Sequence, residues 1–141
     1  MQTISGACSC EKIFYHCPSP ALQVVICHCG LCRRMTGAPL SAYVVVQAAE
    51  LCFTRGQAAL SAYPVTAQTT RHFCRHCGTP VYNSNPEKYA GLAMLYLGTV
   101  AVHEELAPRL ALYCESQLSW LQVSDDCRQF AQAPTRPPRQ Q

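Results

Sequence analysis

Cys27-His28-Cys29-Gly30-Leu31-Cys32-Arg33-Arg34-Met35-Thr36-Gly37 sets three cysteines within six residues, directly after an apolar run, and the rest of the chain is read outward from it. In an extended segment residues two apart share a face, so Cys27 and Cys29 present their sulfurs side by side while His28 turns away, towards packing or a hydrogen bond. Gly30 then lets the chain turn and returns Cys32 to the same point. Three thiolates so placed occupy three corners of the tetrahedron that zinc prefers. A fourth cysteine would close the site as a structural strut, whereas water or substrate there would keep it chemically open.

With 141 residues, 49% of them apolar and 13% charged, the chain has the size of one domain and enough apolar residues for a core. Eleven cysteines imply either a disulfide framework or a set of metal ligands. Met1-Gln2-Thr3-Ile4-Ser5-Gly6 has neither the basic nor the apolar segment of a secretory signal, so the expected compartment is the reducing cytoplasm, with thiols or metal-bound thiolates. No apolar run approaches the roughly 20 residues that span a bilayer, so no membrane partner is expected. A formal charge of +3 and a pI of about 8.3 are only mildly basic, which argues against nucleic acid as a partner.

Short apolar runs broken by turn residues predict strands over 12–15, 22–26, 40–46, 51–54, 60–63, 69–74, 81–83 and 110–114, while 89–97 carries mixed signals that allow a helix, with Leu95-Tyr96-Leu97 before Gly98-Thr99 favouring a strand. The run at 40–46 is apolar at nearly every position, which predicts a strand buried on both faces. His16-Cys17-Pro18-Ser19-Pro20 predicts a turn, and single helical turns are expected within the cysteine cluster, ending near Gly37, and over 47–50. Trp120-Leu121 is expected to anchor the core. The whole predicts an all-β domain over 1–130, opening near Gly6, followed by a disordered Pro/Gln/Arg tail over 131–141.

The motif cysteines fall into Cys8-x-Cys10, Cys27-x-Cys29-x-x-Cys32 and Cys74-x-x-Cys77. Two short pairs remote in sequence are how a closed four-cysteine zinc site staples a fold, which assigns Cys8, Cys10, Cys74 and Cys77 to a structural zinc. Gly78 then closes a knuckle turn at a positive backbone angle. The triplet keeps its own zinc with one position open, making two per chain, although spacing alone also allows Cys74 and Cys77 to join members of the triplet. Cys17, Cys52, Cys114 and Cys127 stand outside any motif, and Cys17 alone is close enough in sequence to be a fourth ligand. His72 and His103 have no evident partner, and His76 is expected to be exposed in the knuckle. Arg75 is expected to offset thiolate charge; Arg33 and Arg34 could do the same, or bind substrate carboxylates in a two-pronged contact.

Taken together, Gly6-x-Cys8-x-Cys10, Cys27-His28-Cys29-x-x-Cys32-Arg33-Arg34-x-Thr36-Gly37, Phe73-Cys74-x-x-Cys77-Gly78 and Gly98-Thr99, with Trp120 near the end, resemble the glutathione-dependent formaldehyde-activating enzyme family, which includes centromere protein V relatives. The resemblance covers residues 6 to roughly 130. It implies a β-tent of small stacked antiparallel sheets, a structural zinc at Cys8, Cys10, Cys74 and Cys77, and a catalytic zinc at Cys27, Cys29 and Cys32. It also implies carbon–sulfur lyase chemistry on glutathione or a related thiol adduct, such as formation or cleavage of S-hydroxymethylglutathione. Where members often carry Gly after the first Cys-x-Cys, Asp after Gly-Thr and His before the tryptophan, this chain reads Glu11, Val100-Ala101-Val102 and Leu110-Ala111-Leu112.

The chemistry of the donors agrees with that expectation. Three thiolates make zinc a weak Lewis acid, better suited to holding another thiolate than to activating water. No Ser-His-Asp set is evident, and the His-x-Glu at His103 follows the Cys-x-x-Cys instead of preceding it as in zinc deaminases. The competing reading is a non-catalytic zinc module that binds a protein or nucleic acid.

Overall fold

In the computed structural model, which describes residues 3–101 and 104–134, the chain is all-β with one α-helix and short 3-10 turns. Val102, His103 and residues 135–141 lie outside the described residues, and with them the readings made for His103 and most of the tail. One sheet has the order β1 (Ile4–Ala7), β2 (Phe14–Cys17), β5 (Cys52–Arg55). The other runs β11 (Arg128–Gln129), β10 (Leu110–Leu112), β3 (Gln23–Cys27), β4 (Ser41–Gln47), β9 (Leu92–Tyr96), β8 (Pro80–Ser84), β7 (Thr70–Cys74), β6 (Leu60–Pro64). Neighbours are antiparallel except at β10, which is parallel to both β3 and β11. The chain reaches β10 by a long connection from elsewhere in the sheet, and only such connections can set strands parallel.

β4 explains why one apolar run has two buried faces. Its side chains alternate, so Val44 and Val46 pack with Ile4, Tyr15, Val24, Val81 and Leu95 in the core. Tyr43 and Val45 face the opposite way and join Val25, Leu92 and Tyr96 in a second cluster. That second face carries the triplet cysteines Cys27 and Cys32.

Gly6 fixes how the small sheet approaches the large one. It bridges to Val100, and a Cβ at Gly6 would collide with the Thr99 carbonyl oxygen and the Tyr15 phenol. The Tyr15 hydroxyl meets Thr99 Oγ1 at 2.7 Å, and Thr99 Oγ1 donates in turn to the Tyr96 carbonyl at 2.8 Å. Gly6 and Thr99, remote in sequence, therefore meet in one close contact.

Several expectations are corrected. His16 and Cys17 belong to β2, and the chain turns only after them, where Pro18 has no N–H to offer a ladder. β6 runs through Pro64 because it is the edge of its sheet. Ordered chain begins before Gly6, since Ile4 in β1 is only 2% exposed. Trp120 is not a core anchor: it sits in a turn closed by Leu121 N–H to the Leu118 carbonyl and is 67% exposed. Ala111 and Cys127 provide the burial there instead. Ala131 and Gln132, read as the start of the tail, are tied down, their carbonyls accepting from the N–H groups of Glu115 and Tyr113.

Candidate metal centres and cavity

β3 ends at Cys27, and two residues later Cys29 caps the N-terminus of α1 (Gly30–Thr36). Cys29 Sγ accepts the Cys32 N–H at 3.2 Å, so the sulfur of one cysteine satisfies the backbone of another. The reversal that returns Cys32 is thus made by the helix, and Gly30 is its first residue, not a separate turn. α1 is seven residues long, more than the single turn expected, and Gly37 ends it in the left-handed region at φ 69°. The Thr36 hydroxyl donates to the Cys32 carbonyl at 2.9 Å, fastening the last turn.

Two groups of sulfurs result. Those of Cys8, Cys10, Cys74 and Cys77 lie within 4.8 Å of one another, and so do those of Cys27, Cys29 and Cys32. A tetrahedron with metal–sulfur bonds of about 2.3 Å has edges of about 3.8 Å. Cys8 to Cys10 at 3.6 Å and Cys10 to Cys74 at 3.8 Å match that edge, so the four residues fit a tetrahedral metal ion such as zinc. Cys74 ends β7, and the following turn closes at Gly78, whose φ of 77° meets the expected positive angle. Hydrogen bonds from Ser9 and Thr79 pull the Cys77 thiol down to about 4, which favours the thiolate form that a metal ion would need.

The triplet is set differently. The Cys32 thiol is pushed up by its hydrogen bond with Cys27 and by burial, and the Cys29 thiol is raised by burial. In such surroundings a cation is what would ionise them, and three adjoining sulfurs suit a thiophilic one. Among the described residues no fourth protein ligand joins them. Cys17 belongs to the main core, and Cys74 and Cys77 to the other sulfur group.

Cys27, Cys29 and Cys32 line a cavity of about 250 Å³, and none of the four clustered cysteines does. Its floor is the second face of the large sheet: Val25 of β3, Tyr43 and Val45 of β4, Leu92 and Met94 of β9, Leu110 and Leu112 of β10. Leu31 and Met35 of α1 form one wall; Lys88, an exposed residue, marks the mouth.

Sequence reasoning missed a polar chain in this floor. Tyr96 donates its hydroxyl to Asn83 Oδ1 at 2.9 Å, and Asn83 Nδ2 donates to the Tyr43 oxygen at 3.3 Å. The Tyr43 proton is thereby left for Cys32 Sγ, 3.4 Å away. Burial raises the Tyr43 phenol well above its ordinary range, which keeps that proton in place. A tyrosine within a valine run was the available signal, because a buried phenol needs a partner.

The arginines are placed apart from the cavity lining. Arg33 Nη1 donates to the His28 carbonyl at 2.9 Å and the Ser116 carbonyl at 2.6 Å, and Arg34 is exposed. Arg75 and His76 are exposed on the knuckle, in contact with each other at 3.5 Å. His28 is fully buried with neither ring nitrogen hydrogen-bonded among the described residues, so it packs, held neutral by burial and the Arg33 charge. His72, without a partner in sequence, stacks on Tyr82 and meets the Ser84 hydroxyl at 2.9 Å.

No helix among the described residues is long and apolar enough to cross a membrane. The family model described as glutathione-dependent formaldehyde-activating enzyme matches residues 3–116. Among solved structures, a Rhodobacter sphaeroides protein determined by structural genomics is similar at a TM-score of 0.58 and 19% identity, over 72% of this chain and 92% of that one, a likeness of fold. No curated protein is significantly similar to the chain.

Proposed function

Since the chain belongs to the glutathione-dependent formaldehyde-activating enzyme family, we propose that it is a carbon–sulfur lyase-like enzyme that forms or cleaves adducts of glutathione, or a related small thiol, with an aldehyde. The observation that carries this reading is the contrast between the sulfur groups: three that line the cavity of about 250 Å³ and four that do not line it. On this reading Cys8, Cys10, Cys74 and Cys77 hold a structural zinc, and Cys27, Cys29 and Cys32 hold a second, catalytic one. When bound, that second zinc would supply the positive charge that ionises a substrate thiol at neutral pH.

The chain's own residues supply the rest. In the forward direction the thiolate sulfur bonds to the carbonyl carbon, the carbonyl π pair moves to oxygen, and that oxygen takes one proton; cleavage is the reverse. Tyr43, with its proton held towards the sulfurs, is placed to donate a hydrogen bond to Cys32 or to the substrate oxygen. Arg33, committed to two carbonyls, positions α1 against the segment at Ser116. Arg34 is the member of the pair left to meet a carboxylate of the thiol carrier.

Exchange between formaldehyde, glutathione and S-hydroxymethylglutathione, followed by NMR on zinc-replete protein, tests the proposal. Exchange above the uncatalysed rate, lost in Cys32→Ser, is expected. Exchange at the uncatalysed rate by protein holding both zincs would instead support a non-catalytic binding module.

A further inference from the structure

Resting on that reading, we propose that the aldehyde-derived half of the adduct is an apolar organic group of several carbons, seated on the floor beside Cys27, Cys29 and Cys32. A one-carbon hydroxymethyl group would reach only the atoms next to the sulfurs. The floor extends much further, through Val25, Val45, Leu92, Met94, Leu110 and Leu112, across four strands. Glutathione does not account for this surface. It carries two carboxylates and an ammonium group, and among the described residues Lys88 is the one cation lining the cavity, exposed at its mouth. Charged groups seated on that aliphatic floor would be desolvated without a charge beside them; the further polar side chains of the lining, Thr69, Asn85, Tyr89 and Tyr113, lie outside the four strands that form it.

Val25, Val45 and Leu92 of the floor are themselves buried, yet a cavity of about 250 Å³ stays open beside them. Three of the floor's strands, β3, β4 and β9, bury their opposite face in the main core through Val24, Val44, Val46 and Leu95. An apolar second face left as a cavity is what an apolar ligand group needs, with a few polar groups fixing its orientation. Tyr43 and Asn83 are the polar groups at the sulfur end, where the carbinol oxygen of the adduct lies. The step is the one given above with an organic substituent on the carbonyl carbon: one sulfur–carbon bond forms, the π pair goes to oxygen, and oxygen takes one proton.

Binding of the unreactive thioethers S-methylglutathione and S-hexylglutathione to zinc-loaded protein, measured by calorimetry, tests the assignment apart from turnover. Each methylene taken from water tightens binding by up to about fourfold, so the hexyl ligand is expected to bind at least about tenfold tighter, with a more negative heat-capacity change. Leu112→Gln on the floor and Leu31→Gln on the helix wall, two variants in separate elements, are each expected to reduce that preference to about threefold or less. Equal affinities, no measurable binding of either ligand, or a preference that survives in whichever variant folds would overturn the inference. Formaldehyde exchange with no hexyl preference would overturn this inference and leave the proposed function standing. A hexyl preference without exchange of any adduct would overturn the function and leave the cavity as a binding site for apolar thioethers.

Discussion

Tyr43 is placed by two other side chains so that its one proton faces a sulfur, and the value of that arrangement can be measured residue by residue. Phenylalanine at this position keeps the ring packed edge-on against Tyr96, whose centroid is 5.1 Å away, and removes only the hydroxyl. A hydrogen bond to a charged group is worth about 1.5–3 kcal/mol, so Tyr43→Phe is expected to lower turnover roughly 10- to 100-fold while metal content stays at the wild-type level. Unchanged exchange kinetics in a zinc-replete variant would remove Tyr43 from the mechanism. Glu11 presents the opposite case, a residue that fits its place poorly. It holds φ 61°, in the left-handed region, just after Cys10, with its N–H donated to the Cys8 carbonyl at 3.0 Å. A non-glycine residue there costs about 1–2 kcal/mol, partly offset by the extra chain entropy glycine loses on folding. Glu11→Gly is therefore expected to raise stability by up to about 1 kcal/mol, seen as a thermal midpoint a few degrees higher. A lower midpoint would show that the Glu11 side chain contributes more than its backbone costs.

Among the elements, those announced by residue type were readable and those made by tertiary pairing were not. The knuckle at 74–78 was legible because two cysteines and a closing glycine have few ways to be arranged, and β4 because seven residues without a charge predict a strand buried on both faces. That one of those faces, although buried, also lines a cavity could not be read from β4, since the cavity depends on what the helix and the segment near Lys88 leave unfilled. β11 is two residues long, too short to carry an alternation; β10 lies within the strand expected over 110–114, but the parallel pairing of the two has no hairpin to announce it. β1 was hidden because its Ser5 and Gly6 are poor strand formers, held by the fit of Gly6 against Tyr15 and Thr99. That fit makes a sharp test at this scale. Gly6→Ala forces a methyl group into backbone and ring atoms, and overpacking of this kind costs about 1–3 kcal/mol. The midpoint of zinc-loaded Gly6→Ala should fall several degrees below wild type, and a wild-type midpoint would mean that the two sheets separate there at no cost.

For the whole molecule, the two sulfur groups differ in what they join. Cys8 and Cys10 lie between β1 and β2 of the small sheet, while Cys74 and Cys77 lie in β7 and its turn in the large one, so the four-sulfur group links sheet to sheet. Cys27, Cys29 and Cys32 all come from one stretch of chain that runs from the end of β3 into α1, and they do not link the two sheets. Removing a metal should therefore have opposite consequences at the two places. Structural zinc contributes apparent binding energies of about 10–16 kcal/mol in small domains where it drives folding, far above the few kcal/mol that a single packing change alters. Cys77→Ser, by breaking the link between sheets, is expected to lower the thermal midpoint by more than about 10 °C or to leave the chain unfolded. Cys32→Ser should bring metal content from about two per chain to about one, abolish adduct exchange, and hold the midpoint within about 5 °C of wild type. Metal analysis and thermal unfolding of both variants decide the matter together: equal losses of stability would mean that the triplet also supports the fold, and the division into a structural and a catalytic centre would fail.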